Sequence, residues 1–153
     1  MAGGYISGRC RARCASRALI VIDASVWISA FLSTDRMNAR AGVWFGRERM
    51  RPGWSPRIPA HALAEIAGAV ARQTGDTDQG VNAASRVSAM PGIQIVPVDA
   101  ELGEMAANLA AHLRLRGADA IYVAVALRHE VPLVTFDTQL AERSFGIVEV
   151  IVP

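Results

Sequence analysis

The stretch GADAIYVAVALRHEVPLVTFD, residues 117–137, joins two elements end to end. From Ala118 to Glu130 it reads as a helix that is apolar nearly all round, and such a helix belongs inside a protein. VPLVTF then reads as a short buried strand. An aspartate stands at the head of the helix (Asp119) and another at the end of the strand (Asp137). A buried helix feeding a buried strand is one unit of an α/β fold.

The rest of the chain repeats that alternation. ALIVI (18–22) is a short β-branched apolar run, hence a buried strand, and a helix opens after Asp23 and runs to about Leu32. A second helix spans roughly 37–50. RPGWSPRIP breaks it with three prolines and leads into a short strand near 57–60. AHALAEIAGAVARQ is a helix ending near Gly75, and Asp78 to Met90 is another, stopped by Pro91 and Gly92. IQIVPV is a strand, DAELGEMAANLAAHLRLR a long helix, and GIVEVIV the last strand. There is no internal repeat and no low-complexity segment. The expected architecture is a three-layer α/β/α domain around a mainly parallel sheet of about five strands.

At 153 residues the chain makes one domain with a real core. An apolar share of 52% and a charged share of 20% describe a soluble globular protein. All 16 basic residues are arginine. Without lysine there is no P-loop, no receiver-domain phosphorylation site and no Schiff-base chemistry. Residues 1–18 carry Arg9, Arg11, Arg13 and Arg17 and no acid, so they form a basic extension outside the expected domain, 19–153. The remainder holds 12 basic and 14 acidic residues, a net of −2. Bulk charge therefore does not announce a nucleic-acid binder. Cys10 and Cys14 lie in the extension and read as reduced thiols. The extension followed by ALIVIDASVWISAFL resembles a signal peptide, but Asp23 interrupts the apolar run and no small-residue cleavage site follows. The reading is a cytoplasmic protein with no membrane span.

In a parallel sheet every strand ends at the same edge, and ligands bind there where the strand order reverses. Asp23 ends the first strand, Asp137 ends the fourth, and Asp119 starts the helix that returns to the fourth. The three meet at one edge. Taken singly, each is equally well read as an N-cap. Asp99, in the same strand-to-helix setting, is assigned to capping. Glu65 falls on the polar side of its helix with His61, Gly68 and Arg72, where a solvated glutamate paired with His61 is the default. Acids gathered at one place raise one another's pKa and call for a cation. All-oxygen donors suit Mg²⁺ or Mn²⁺ rather than zinc. Ser25 and Thr135 lie close in sequence to these acids and are placed to orient ligands or a water. The chemistry that follows is hydrolysis of a phosphodiester.

IVIDASVW, then the glutamate of AEIAGAV, then RGADAIYVAVAL, then LVTFDTQL, in that order, resemble the PIN-domain ribonucleases over roughly residues 19–150. The nearest likeness is to the single-domain VapC toxin of VapBC toxin–antitoxin systems. The resemblance implies that the first and fourth strands lie side by side, with Asp99 on an outer strand. It carries the four acids of the family onto Asp23, Glu65, Asp119 and Asp137, with Asp23 and Asp119 the most direct metal ligands. Glu65 and Asp137 would complete the shell or orient the water. It implies an Mg²⁺- or Mn²⁺-dependent endoribonuclease, a cognate antitoxin, an RNA substrate and a homodimer. The family's groove for the antitoxin's C-terminal segment lies on the first two helices, where Trp27, Phe31, Trp44 and Phe45 would line it.

Residues 43–57 mix tryptophan and phenylalanine with arginine, a combination that grips phosphates and stacks bases. The competing reading is a helix end with core aromatics, preferred for Trp54. His61, His112 and His129 read as surface or helix-end residues. Three rivals remain. A haloacid-dehalogenase-type phosphatase wants a second aspartate where Ser25 stands, and a lysine. A PIN-like binding module would lack nuclease activity. A chromosomal or ribosome-associated nuclease would lack an antitoxin.

Overall fold

The computed structural model describes residues 18–153. The strands are β1 (Leu19–Ile22), β2 (Ser55–Pro59), β3 (Gln94–Val96), β4 (Leu133–Val134) and β5 (Val150–Ile151). The helices are α1 (Ala24–Phe31), α2 (Asn38–Glu48), α3 (Ala62–Thr74), α4 (Thr77–Ser88), α5 (Ala100–Leu113), α6 (Gly117–His129) and α7 (Thr138–Ser144). The expected basic extension falls outside the described residues apart from Ala18. That residue is buried, and its carbonyl already accepts from the Ser55 N–H at 2.8 Å. Among the described residues no helix is long and apolar enough to cross a membrane.

All strand pairs are parallel, in the order β3-β2-β1-β4-β5. The chain builds outward from β1 through β2 to β3, then returns to β1's other side for β4 and β5. The order therefore reverses between β1 and β4, as the resemblance implied, and Asp99 follows the outer strand β3. β1 is central. Ile20, Val21 and Ile22 are essentially without exposure, because helices cover both faces and a continuous apolar run is the only stable choice. The helix α6 packs across β1, β2 and β4 with α5 beside it, while α1 packs with α2 and α3, and α3 with α4. This is the three-layer architecture expected.

Three strands are shorter than the runs that announce them, and IQIVPV yields only Gln94–Val96. VPLVTF yields only Leu133–Val134, and GIVEVIV only Val150–Ile151. Gly146 takes a left-handed φ of 82°, so the chain turns before β5. β2 starts two residues earlier than expected and contains Pro56 and Pro59. Gly80 marks a tight crossing of α4 on α3. A Cβ there would meet the Ala67 carbonyl oxygen, so only glycine lets the two backbones approach.

Candidate active site

Asp23 leaves β1 in extended conformation and caps α1. Its Oδ2 accepts from the Ser25 hydroxyl at 2.5 Å and the Thr135 hydroxyl at 2.8 Å. Asp23 is 6% exposed. Burial pushes its carboxyl up to about 6 and the charge of Glu65 adds to this, while the two hydroxyls hold it down. Thr135 is fully buried, and its Oγ1 also accepts from the Asp137 N–H at 2.9 Å. Ser25 Oγ accepts from the Phe136 N–H at 3.1 Å. The two hydroxyls therefore clamp the end of β1 to the end of β4 and fix Asp23 against Asp137's turn.

Asp137 caps α7, accepting from the Leu140 N–H at 3.0 Å through Oδ1. Asp119 lies in the first turn of α6, whose N-cap is Arg116 with no side-chain cap bond. It is raised by burial first, then by the charges of Asp137 and Glu65, and held down by Arg116. The capping readings for Asp23 and Asp137 are thus realised, but each with one oxygen only. The other oxygen of each has no protein donor among the described residues.

Glu65 departs from the solvated default. Its Oε2 does lie 3.5 Å from His61 Nε2, as the spacing suggests. It also accepts from the Tyr122 hydroxyl at 2.5 Å, across to α6. Tyr122 has no exposure; burial and the charges of Asp23 and Glu65 keep its phenol protonated far above its ordinary range. Sequence reasoning missed this residue. The available signal was a lone hydroxyl on an otherwise aliphatic helix, since a buried phenol needs an acceptor. His61 is a helix-end residue, as read. It stands at the start of α3 but half-buried, edge-on to the Tyr122 ring at 5.1 Å, and burial lowers its pKa against the opposing pull of Glu65 and Asp119. His112 and His129 lie in the last turns of α5 and α6.

The four carboxylates feel one another in pairs: Asp23 with Glu65, Asp119 with Asp137, and Asp119 with Glu65. As the side chains stand, no three His, Cys, Asp or Glu among the described residues close on a single point. The donor chemistry nonetheless fits a hard divalent cation. All donors are oxygen, two carboxyls are raised by burial and mutual repulsion, and among the described residues Arg116 is the arginine that acts on Asp119.

Asp99 behaves as assigned. It caps α5 through the Leu102 N–H at 2.7 Å and takes Arg128 on both oxygens at 3.1 and 3.2 Å. Asp99→Ala is expected to lower the melting temperature slightly and to leave any catalysis by the four-acid site unchanged. A thermal melt run beside a cleavage assay checks this, and a large loss of activity would return Asp99 to the site.

The aromatic groove is rearranged. Trp27, Phe31 and Phe45 line one hollow of about 530 Å³ with Arg49, Arg86 and Met90. The end of α4 therefore supplies a wall that the first two helices alone do not. Trp44 is turned away, lining a separate hollow with Val43 and Pro153. Trp44 and Phe45 are buried, and Arg47 and Arg51 pair with Glu48, so these residues of the 43–57 segment are built as core and salt bridges rather than as a base-stacking surface. Trp54 is partly buried against the same core.

The fold is similar to several solved structures. VapC20 of Mycobacterium tuberculosis, described as a sarcin–ricin loop cleaving toxin, aligns with TM-score 0.70 at 22% identity, covering 85% of this chain and 98% of that one. A toxin–antitoxin complex from Klebsiella pneumoniae aligns with TM-score 0.60 at 21% identity, covering 86% and 95%. VapBC-5 of Mycobacterium tuberculosis, a member of the VapBC family of toxin–antitoxin systems, aligns with TM-score 0.57 at 24% identity, covering 88% and 97%. No curated protein sequence matches the chain. A profile of the PIN domain matches residues 20–146, a span that holds all four carboxylates, and the chain belongs to that family.

Proposed function

We propose that this protein is an Mg²⁺- or Mn²⁺-dependent endoribonuclease acting as the toxin of a type II toxin–antitoxin pair. The observation that carries the reading is the pairwise influence among Asp23, Glu65, Asp119 and Asp137 beside the switch point of a PIN-family sheet. Asp23 and Asp119 would hold the cation, with Glu65 and Asp137 beside them. A bound divalent cation supplies neutralisation of phosphoryl charge and acidifies a water. The chain does the positioning. The Ser25 and Thr135 hydroxyls fix Asp23, so one of its oxygens is committed to the protein and the other is open to a ligand. Tyr122 fixes Glu65 in the same way through Oε2. Asp137, anchored by its cap, is held where it can orient a water or accept its proton.

The hollow on Trp27, Phe31 and Phe45 fits an apolar antitoxin segment, and Arg49 and Arg86 at its rim favour acidic residues on that segment. The similar solved structures that are toxin–antitoxin complexes support this partner. Exposed Phe145, Ile147 and Val152 offer apolar surface to a second copy, in keeping with a homodimer. One observation favours a binding module instead: no three candidate ligands close on one point as they stand.

Purified protein incubated with structured and single-stranded RNAs in Mg²⁺, Mn²⁺ or EDTA separates the readings. Cleavage is expected with metal, none in EDTA, and none from Asp119→Asn. Absence of cleavage from well-folded wild type on every RNA, together with no Mn²⁺ binding by calorimetry, would leave the binding module. Cleavage without any antitoxin gene beside its own would leave a nuclease outside toxin–antitoxin control.

A further inference from the structure

A second cleft of about 590 Å³ opens directly beside the carboxylates. Ser25 and Asp137 form its inner wall, so it is continuous with the site. Its outer wall is the α1–α2 connection, with Thr34, Asp35 and Arg36, and its floor is Phe136. Arg40, from the first turn of α2, lies over the Phe136 ring at 5.7 Å, held there by its bond to the Pro153 carbonyl on the Trp44 side. Asp35 accepts from the Met37 N–H at 2.7 Å, and Asp137 caps α7. Both acids of the cleft therefore have structural bonds, whereas Arg36 is exposed and has no acidic partner among the described residues.

A four-carboxylate centre repels the polyanion it is proposed to cut. Affinity for RNA must come from cations flanking that centre, because phosphate neutralisation supplies most non-specific binding. Arg116 is near enough to lower Asp119. This cleft adds Arg36 in its wall and Arg40 over the Phe136 ring. Single-stranded RNA is also held by stacking its bases on aromatic rings and guanidinium planes. The Arg40–Phe136 pair is such a platform, and Phe136 lines the same cleft as Asp137.

We propose that the cleft between the α1–α2 connection and Phe136 is a nucleotide subsite for single-stranded RNA on one side of the cleaved bond. Arg36 contacts the phosphate there and the Arg40–Phe136 stack supports the base. The assignment rests on the nuclease reading for its meaning, but binding tests it without catalysis.

The probe is a short fluorescently labelled single-stranded RNA of mixed sequence, bound to the full chain in EDTA and read by anisotropy across a salt series. Arg36→Ala should weaken binding by several-fold and flatten the salt slope by about 0.7, the value for one lost single-strand phosphate contact. Arg36→Lys should restore most of the slope. Arg128→Ala, at the far end of α6 and tied to Asp99, is the charge control and should change neither. In cleavage, Arg36→Ala should raise KM and leave kcat unchanged. Equal losses from Arg36→Ala and Arg128→Ala, or a wild-type slope in Arg36→Ala, would overturn the subsite. Cleavage by wild type with no Arg36 dependence sinks the subsite and spares the nuclease. Arg36-dependent binding by a protein that never cleaves spares the subsite and sinks the nuclease.

Discussion

Asp23→Asn is expected to cut RNA cleavage on the order of 10³-fold and, at the same time, to make the metal-free protein more stable at neutral pH. The two effects have one origin. The Asp23 carboxyl sits at about 6 in the folded protein against an ordinary 3.8. Below pH 4 it is protonated in both folded and unfolded states and costs nothing. Between 4 and 6 the unfolded chain releases the proton and the folded one keeps it, so stability falls as pH rises. Above 6 the deficit is complete, about 3 kcal/mol from the size of the shift. Asparagine carries no charge to desolvate, and its carbonyl oxygen can still accept from Ser25 and Thr135. Thermal melts of both proteins from pH 4 to 8, without divalent metal, check this. The gap between the curves should open between pH 4 and 6 in favour of the variant. Adding Mn²⁺ at pH 7 should raise the wild-type melt and barely move the variant's. A gap that narrows with rising pH would contradict the buried, strained carboxylate.

Tyr122→Phe is expected to lower cleavage about 10²-fold with little loss of fold. The change removes one oxygen from a fully buried ring and leaves the packing intact. What it loses is the 2.5 Å bond that holds Glu65 toward α6. Glu65 is then steered only by His61, and small misplacements of a catalytic group cost rate steeply. Its side chain is about one-third exposed, so water takes over the lost bond and the stability cost stays near the low end for a charged acceptor, about 1.5 kcal/mol. Calorimetry should find weaker Mn²⁺ binding in the variant, a readout that a purely structural tyrosine would not move. Unchanged cleavage and unchanged Mn²⁺ affinity would make Tyr122 core and nothing more.

What was legible in the sequence was whatever local pattern dictates. Alternating strands and helices put Asp23, Asp119 and Asp137 at one sheet edge, while the strand order that sets Asp99 apart came from the family resemblance and not from local pattern. The elements that resisted were decided by tertiary contact. Apolar runs do not say how many of their residues find ladder partners, so β4 and β5 came out at two residues each. Glu65 reads as surface from its own helix, because its Tyr122 partner comes from α6. Trp44 and Phe45 are adjacent and both aromatic, yet consecutive helical residues point about 100° apart, and they end in different hollows.

The pairing of β1 with β4 has a consequence in time. Val21 and Ile22 meet Leu133 and Val134 across more than two-thirds of the sequence. Contacts of that span close late, since the loop must be drawn in before the pairing rewards it. During synthesis Asp23 leaves the ribosome roughly ten seconds before Asp137 is made. Throughout that interval Asp23 has neither Thr135 to fix it nor β4 beside it. The carboxylate edge therefore comes into being in one late step, when the β4 segment docks, and the unfinished chain passes its time on the ribosome without the arrangement proposed to cut RNA.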